Sequence, residues 1–201
     1  MKSFVITGGI GVGKSAVTVV LSKMGFPVID ADAVARQVVQ PGQEGLRRLV
    51  ETFGPNILDA TGNLDRPAMR ARIASDGDAQ RRIGLCLHPL IRNEIQSRLE
   101  DLSRSGHDYA FVEAALAIES GSYVYYDALI LVTADQETRV RRVMRRDNLA
   151  EDAVRALIAR QMPEEDKAKL AQHIISNNGT PEELQGNVMS WVKANLLPQP
   201  S

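Results

Sequence analysis

Apolar residues gather along the chain in short runs, Phe4 to Ile6, Pro27 to Ile29, Tyr109 to Val112 and Ala128 to Val132, with a shorter one at Ile174-Ile175. Helical patterns separate these runs. Strands that alternate with helices in this way predict βαβ units and a parallel sheet. The nearly continuous apolar stretch Leu129-Ile130-Leu131-Val132 fits a strand covered on both faces. From Ala31 to His107 strand periodicity disappears over a length too great for one crossover helix. Turn signals at Pro41-Gly42, Gly54-Pro55, Thr61-Gly62-Asn63 and His88-Pro89 divide this stretch into several helices, and the last opens the pattern Leu90, Ile91, Ile95, Leu99, Leu102.

Beyond the fourth apolar run, Asp135 is placed to cap a helix carrying Arg139, Arg141, Arg142, Arg145 and Arg146. Asn148-Leu149-Ala150-Glu151 has the spacing of a capping box that would start the next helix, giving a helical hairpin. The final helix has the clearest start: Thr180 as cap, Pro181 in the first turn and Glu183 three residues after the cap. Leu184, Val188, Trp191 and Val192 then share one face, with Trp191 as a packing anchor. Leu197 to Ser201 should fray.

The 201 residues, 44% hydrophobic and 24% charged, suffice for one good-sized core with a small appended element. The net charge of −1 provides no global field toward nucleic acid or membrane, so neither is expected as a partner, and a monomer is the default. The chain runs from Met1-Lys2-Ser3 straight into its first strand, and no apolar stretch approaches the ~18 residues of a membrane span. A cytoplasmic protein is expected. Cys86, the only cysteine, excludes an internal disulfide and reads as a small core residue. His88, His107 and His173 lack metal-ligand spacing, so a metal should arrive with a nucleotide.

Chemistry enters with Gly8-Gly9-Ile10-Gly11-Val12-Gly13-Lys14-Ser15, which follows the first strand, precedes a helix and fits the phosphate-binding P-loop G-x-x-x-x-G-K-[ST]. Glycines let successive N–H groups aim at phosphate oxygens, and the helix start adds its positive dipole end. Lys14 neutralises the β and γ phosphates, and Ser15 can ligate Mg²⁺. Phosphoryl transfer also needs an acceptor-side group, for which Asp30 and Asp32 stand at the end of the second strand. If extension persists the two share a face, and one of them caps the helix that follows; position leaves open which. Arg139, Arg142 and Arg146 form a basic stripe suited to phosphate, unless it is a solvated face in which Glu137 pairs with Arg141. Glu113 ends the third strand where an acidic group could approach Mg²⁺, while Glu119 could face acceptor or solvent.

Thr7-Gly8-Gly9-Ile10-Gly11 through Ser15, Val28 to Val39, Phe53-Gly54, Leu64-Asp65-Arg66, His88-Pro89-Leu90-Ile91, Arg145-Arg146-Asp147, Gln161 and Asn177-Asn178-Gly179 follow one another as in the dephospho-coenzyme A kinases, which the chain resembles over nearly its whole length. The resemblance implies ATP-dependent phosphorylation of the ribose 3′-hydroxyl of dephospho-coenzyme A, giving coenzyme A and ADP. It implies an α/β, three-layer P-loop kinase fold: a five-stranded parallel sheet, a helical acceptor-binding insertion and a helical lid. Within a single domain of residues 1–201, the core would comprise 1–30, 108–134 and 171–196, the acceptor region 31–107 and the lid 135–170. Gly11, Val12, Gly13, Lys14, Ser15 and Ala16 would hold ATP, with Ser15 on Mg²⁺. Asp32, Lys14 and Arg142 would be catalytic, with Asp32 as the base, and Asp32, Arg36, His88 and Leu116 would meet the acceptor.

The chain departs from the family pattern at Ala16, at Ala115-Leu116-Ala117, at Gln172-His173 and Ser176, and at Glu164, where an arginine is frequent. Rival readings are another small-molecule or nucleoside-monophosphate kinase, a non-enzymatic nucleotide binder, and a GTP switch using Asp59-Ala60-Thr61-Gly62. No N-K-x-D segment accompanies that last motif, and a turn explains it better.

Overall fold

The first apolar run becomes the central strand of the sheet. β1 (Lys2–Thr7) is buried from Phe4 to Thr7 in the computed structural model, which describes residues 1–197. The chain turns through the P-loop into α1 (Lys14–Lys23) and returns as the short β2 (Val28–Asp30). Four helices follow: α2 (Ala31–Gln37), α3 (Glu44–Phe53), α4 (Arg66–Ser75) and α5 (Ala79–Arg104). β3 (Tyr109–Glu113) and β4 (Ala128–Thr133) come next, then α6 (Gln136–Asp147), α7 (Glu151–Ala159) and α8 (Glu164–Ala168), and finally β5 (His173–Ser176) and α9 (Pro181–Asn195).

The strands form the expected five-stranded parallel sheet, in the order β2-β3-β1-β4-β5. β1 pairs with β3 through Phe4↔Phe111 and Ile6↔Glu113, and with β4 through Phe4↔Ala128 and Ile6↔Ile130. Because strand side chains alternate, Phe4 and Ile6 face one way and Val5 the other. Phe4, Ile6, Phe111 and Ile130 pack against Val17 and Leu21 of α1 and Leu184, Val188 and Trp191 of α9. Val5 and Leu129 pack against Ala117 and Ile118 on the opposite face. This two-sided burial is why the strand sequences read as unbroken apolar runs.

Contacts divide the chain into two units, Met1–Ile29 with the residues from Leu102 onward, and Asp30–Asp101. In the second unit Arg82 donates to the Thr52 carbonyl at 2.6 Å and lies over the Phe53 ring, 4.6 Å from its centroid. Leu46, Leu49, Ile95 and Leu99 are buried. Cys86 is only half-buried, its Sγ 3.3 Å from Thr52 Oγ1, so it is not the core residue expected. The expected break at His88-Pro89 is absent too, since α5 runs continuously through Pro89. Pro89 offers no N–H to the carbonyl of Leu85, so the helix runs on with that one bond unmade.

Helix ends follow the sequence in two of three places. Asp135 accepts from Thr138 N at 2.8 Å, and Thr180 with Glu183 completes the expected capping box. Asn148, by contrast, does not cap α7. It adopts φ 52° at the end of α6, a left-handed position that asparagine tolerates, and α7 begins after Ala150 without a side-chain cap. Of the tail expected to fray, Leu197 is exposed and Pro198 to Ser201 lie outside the described residues. Among the described residues no helix is long and apolar enough to cross a membrane.

Trp191 stands edge-on to Phe4, ring centroids 5.5 Å apart, and to His173 at 5.2 Å, while its indole N–H is buried without a hydrogen-bond partner. Trp191→Ala should therefore cost about 3–5 kcal/mol in urea denaturation, the range for emptying an aromatic core site. Trp191→Phe should cost clearly less, because it also removes an unsatisfied donor. Equal losses in the two variants would contradict this account of the indole.

Candidate active site

The P-loop joins the C-terminal end of β1 to α1, where a parallel sheet collects ligands. Gly13 caps α1 at φ 88°, and a Cβ there would stand 2.2 Å from Asn177 Nδ2, so both backbone angle and space require glycine. Lys14 Nζ donates to the carbonyls of Gly8 at 3.0 Å and Gly9 at 3.3 Å. Ser15 Oγ donates to Glu113 Oε1, and Thr18 Oγ1 to Glu113 Oε2, each at 2.9 Å. Parallel pairing of Ile6 with Glu113 brings this carboxylate beside the loop, and the three-residue spacing of Ser15 and Thr18 puts both hydroxyls on one face of α1. Hydroxyl and carboxylate oxygens are the hard donors that suit Mg²⁺. Among the described residues no group of three or more His, Cys, Asp or Glu could hold a metal ion.

Beneath the loop the basic stripe divides by depth. Arg139 is 8% exposed, and its Nε donates to the Ile10 carbonyl at 3.0 Å while Nη2 donates to Gln161 Oε1 at 3.1 Å. Gln161 Oε1 also accepts from Ile10 N at 2.9 Å. Arg142 donates to the carbonyls of Asn177 at 2.9 Å and Val12 at 3.4 Å, and Asn177 Nδ2 donates to Val12 O at 2.7 Å. Arg146 is exposed and pairs with Asp147. The expectation of one phosphate-facing stripe is thus corrected: helical spacing sets direction around the axis, but the loop covers only the N-terminal part of α6. The alternative Glu137–Arg141 pair does not form, since Glu137 binds Arg155 and Arg141 donates to Thr138 Oγ1.

At the end of β2 the two carboxylates separate. Asp30 Oδ1 accepts from Ala33 N at 3.0 Å and caps α2, while Oδ2 lies 3.4 Å from Arg36 Nη2. Asp32 lies in the first turn of α2, so the extension that would have put both on one strand face ends at Asp30. Arg36 is thus engaged with Asp30, and His88 is exposed on α5. Leu116 follows β3 and is 61% exposed. Glu119 is an exposed residue whose carboxylate binds Lys167 Nζ at 2.5 Å, the lysine being 2% exposed.

Thr18, Arg139, Gln161 and Asn177 touch the loop or its acid in ways the sequence did not signal. Gln161 and Asn177 stood out only within the resemblance, without a role. Two departures have structural uses: Gln172 Oε1 accepts from Leu129 N at 2.8 Å, and His173 packs on Phe4 and Trp191, where burial pushes its pKa down. Burial also lowers the pKa of Arg139, against the opposing pull of Glu164 4.0 Å away. Glu164 shifts upward, burial outweighing the Arg139 charge, and its Oε2 has no hydrogen-bond partner.

The family model for dephospho-CoA kinase matches residues 3–183. The dephospho-CoA kinase of Geobacter sulfurreducens is 44% identical over 94% of this chain and 96% of its own length. Among solved structures, TT1252 from Thermus thermophilus superposes with a TM-score of 0.83 at 34% identity, covering 98% of each chain. A dephospho-CoA kinase from Campylobacter jejuni gives 0.73 at 26% identity, covering 96% of each.

The raised pKa of Glu164 has a defined consequence for stability. A carboxyl whose folded pKa exceeds its unfolded value supports folding while protonated, and that support is lost as pH rises through the folded pKa. Glu164→Gln should therefore raise Tm relative to the parent at about pH 7.5, with the gap closing toward about pH 4, where the unfolded carboxyl also protonates. A gap that widens on acidification would reverse the assignment.

Proposed function

The chain belongs to the dephospho-CoA kinase family, and on that premise we propose how its own residues carry the transfer of a phosphoryl group from ATP to the ribose 3′-hydroxyl of dephospho-coenzyme A. The observation that carries the reading is Glu113 bonded to both Ser15 and Thr18, which sets an acidic oxygen beside the P-loop hydroxyl. Backbone N–H groups from Gly11 to Ala16 bind the phosphates. Lys14 exchanges its bonds to the Gly8 and Gly9 carbonyls for phosphate oxygens. Ser15, with Glu113 behind it, would hold the Mg²⁺ that accompanies ATP; when bound, that ion neutralises charge on the phosphate oxygens.

Asp32 orients the acceptor hydroxyl and takes its proton. Supporting this is the engagement of the alternative, Asp30, by Ala33 N and Arg36. Arg142 meets charge that develops on the transferring group, giving up its bonds to Val12 and Asn177 to do so. Arg36, His88 and Leu116 contact the acceptor, residues 31–107 act as the acceptor-binding region, and 135–170 act as a lid over the nucleotide.

Purified protein supplied with ATP and Mg²⁺ should phosphorylate dephospho-coenzyme A and leave AMP and shikimate unchanged. Preference for another acceptor would overturn the substrate assignment. Lys14→Ala should lower transfer at least about a hundredfold while the fold survives. Asp32→Ala should abolish most transfer, Asp32→Asn somewhat less, since much of its benefit is positioning, and ATP binding should persist in both. An active Asp32→Ala beside a dead Asp30→Asn, with both folded, would show the carboxylates assigned the wrong way round.

A further inference from the structure

Ile10 is held from three sides. Its N–H donates to Gln161 Oε1, its carbonyl accepts from Arg139 Nε, and Arg139 Nη2 closes the ring on the same Gln161 oxygen. Both groups that meet this oxygen are donors, so the amide must present its oxygen and not its NH₂. The Ile10 side chain meanwhile packs against Val140, Val143 and Val154, the apolar core shared by α6 and α7, together with Met144 and Ile158. Glycines 9 and 11 lie directly on Arg139: a Cβ at Gly9 would stand 2.4 Å from its Nη2, and one at Gly11 2.8 Å from its carbonyl oxygen. Gln161 itself is fixed just past α7, its N–H on the Ile158 carbonyl at 3.1 Å.

We propose that Gln161 is a positioning residue for the nucleotide: by clamping the Ile10 peptide to the end of the α6–α7 hairpin, it sets the direction in which the next N–H groups of the P-loop, from Gly11 on, face phosphate. The inference rests on the kinase reading of this site. The base of the hairpin and the phosphate loop then form one mechanical piece, with the glutamine oxygen as the polar joint and Ile10 as the apolar one. Releasing the oxygen frees the Gly9–Ile10 peptide plane to rotate and removes a partner that steadies Arg139 on the Ile10 carbonyl. The loss should fall on ATP, because the clamp touches the half of the loop that leads into its phosphate-binding N–H groups.

The test compares Gln161→Asn, one methylene too short to reach Ile10 N, with Gln161→Glu, which keeps an acceptor oxygen at full length beside Arg139. In steady state the Asn variant should raise the KM for ATP about tenfold, lower kcat, and leave the KM for dephospho-coenzyme A within about twofold. Binding of a fluorescent ATP analogue should weaken in parallel, and the Glu variant should recover most of both losses. Thermal unfolding is followed alongside. Unchanged ATP parameters in the Asn variant would overturn the inference, as would a lowered Tm with equal losses toward both substrates and no recovery in the Glu variant. Wild-type protein inactive on dephospho-coenzyme A, with analogue binding still weakened by Gln161→Asn, would sink the substrate reading and sustain the clamp.

Discussion

A guanidinium buried under a loop of glycines is the interaction on which the rest of the site depends. Taking the Arg139 charge from water is costly, and the cost is offset by the Ile10 carbonyl, the Gln161 amide oxygen and the Glu164 carboxylate 4.0 Å away. Those oxygens are in turn fixed by the arginine. The glycine positions admit such close approach because a side chain at Gly9 or Gly11 would occupy the space Arg139 fills. A loop built to be conformationally permissive is thereby made stiff from below, leaving its upper N–H groups available to a ligand.

The sheet provides the second half of that arrangement. β1 lies between β3 and β4, so the loop that leaves β1 has the end of one strand on each side. β3 contributes Glu113 to the loop's hydroxyls, and the chain beyond β4 turns into α6 and brings Arg139 and Arg142 to the loop's carbonyls. β5 adds Asn177, whose N–H extends the β4 pairing at Thr133 and whose amide reaches Val12. Neighbouring strand ends thus converge on one loop, each through a different hydrogen-bonding group.

Strand positions and the P-loop were readable in the sequence because each rests on local pattern: two-sided burial makes unbroken apolar runs, and the phosphate grip needs fixed residue types at fixed spacing. Depth was not readable. Arg139, Arg142 and Arg146 share a helical face, yet the first is buried and the last solvated, which depends on what lies over each turn. Asp30 and Asp32 could be separated only by seeing where extension stops, one residue into the pair. Asn148 satisfied a capping pattern but suits the left-handed end of the preceding helix equally well, and tertiary geometry chose the latter. Pro89 read as a break, since a missing N–H is usually decisive, but the helix carries on with one unmade bond.

The register between β1 and β3 has an evolutionary corollary. Glu113 emerges toward Ser15 and Thr18 because it stands opposite Ile6, and side chains along a strand change sides at every residue. Adding or deleting one residue within β3 would send the carboxylate out of the opposite face of the sheet, while exchanging Phe111 for another large apolar residue would leave its aim intact. Descendants of this chain are therefore freer to vary the composition of that strand than its length. Parity, more than residue identity, is what aims the carboxylate there.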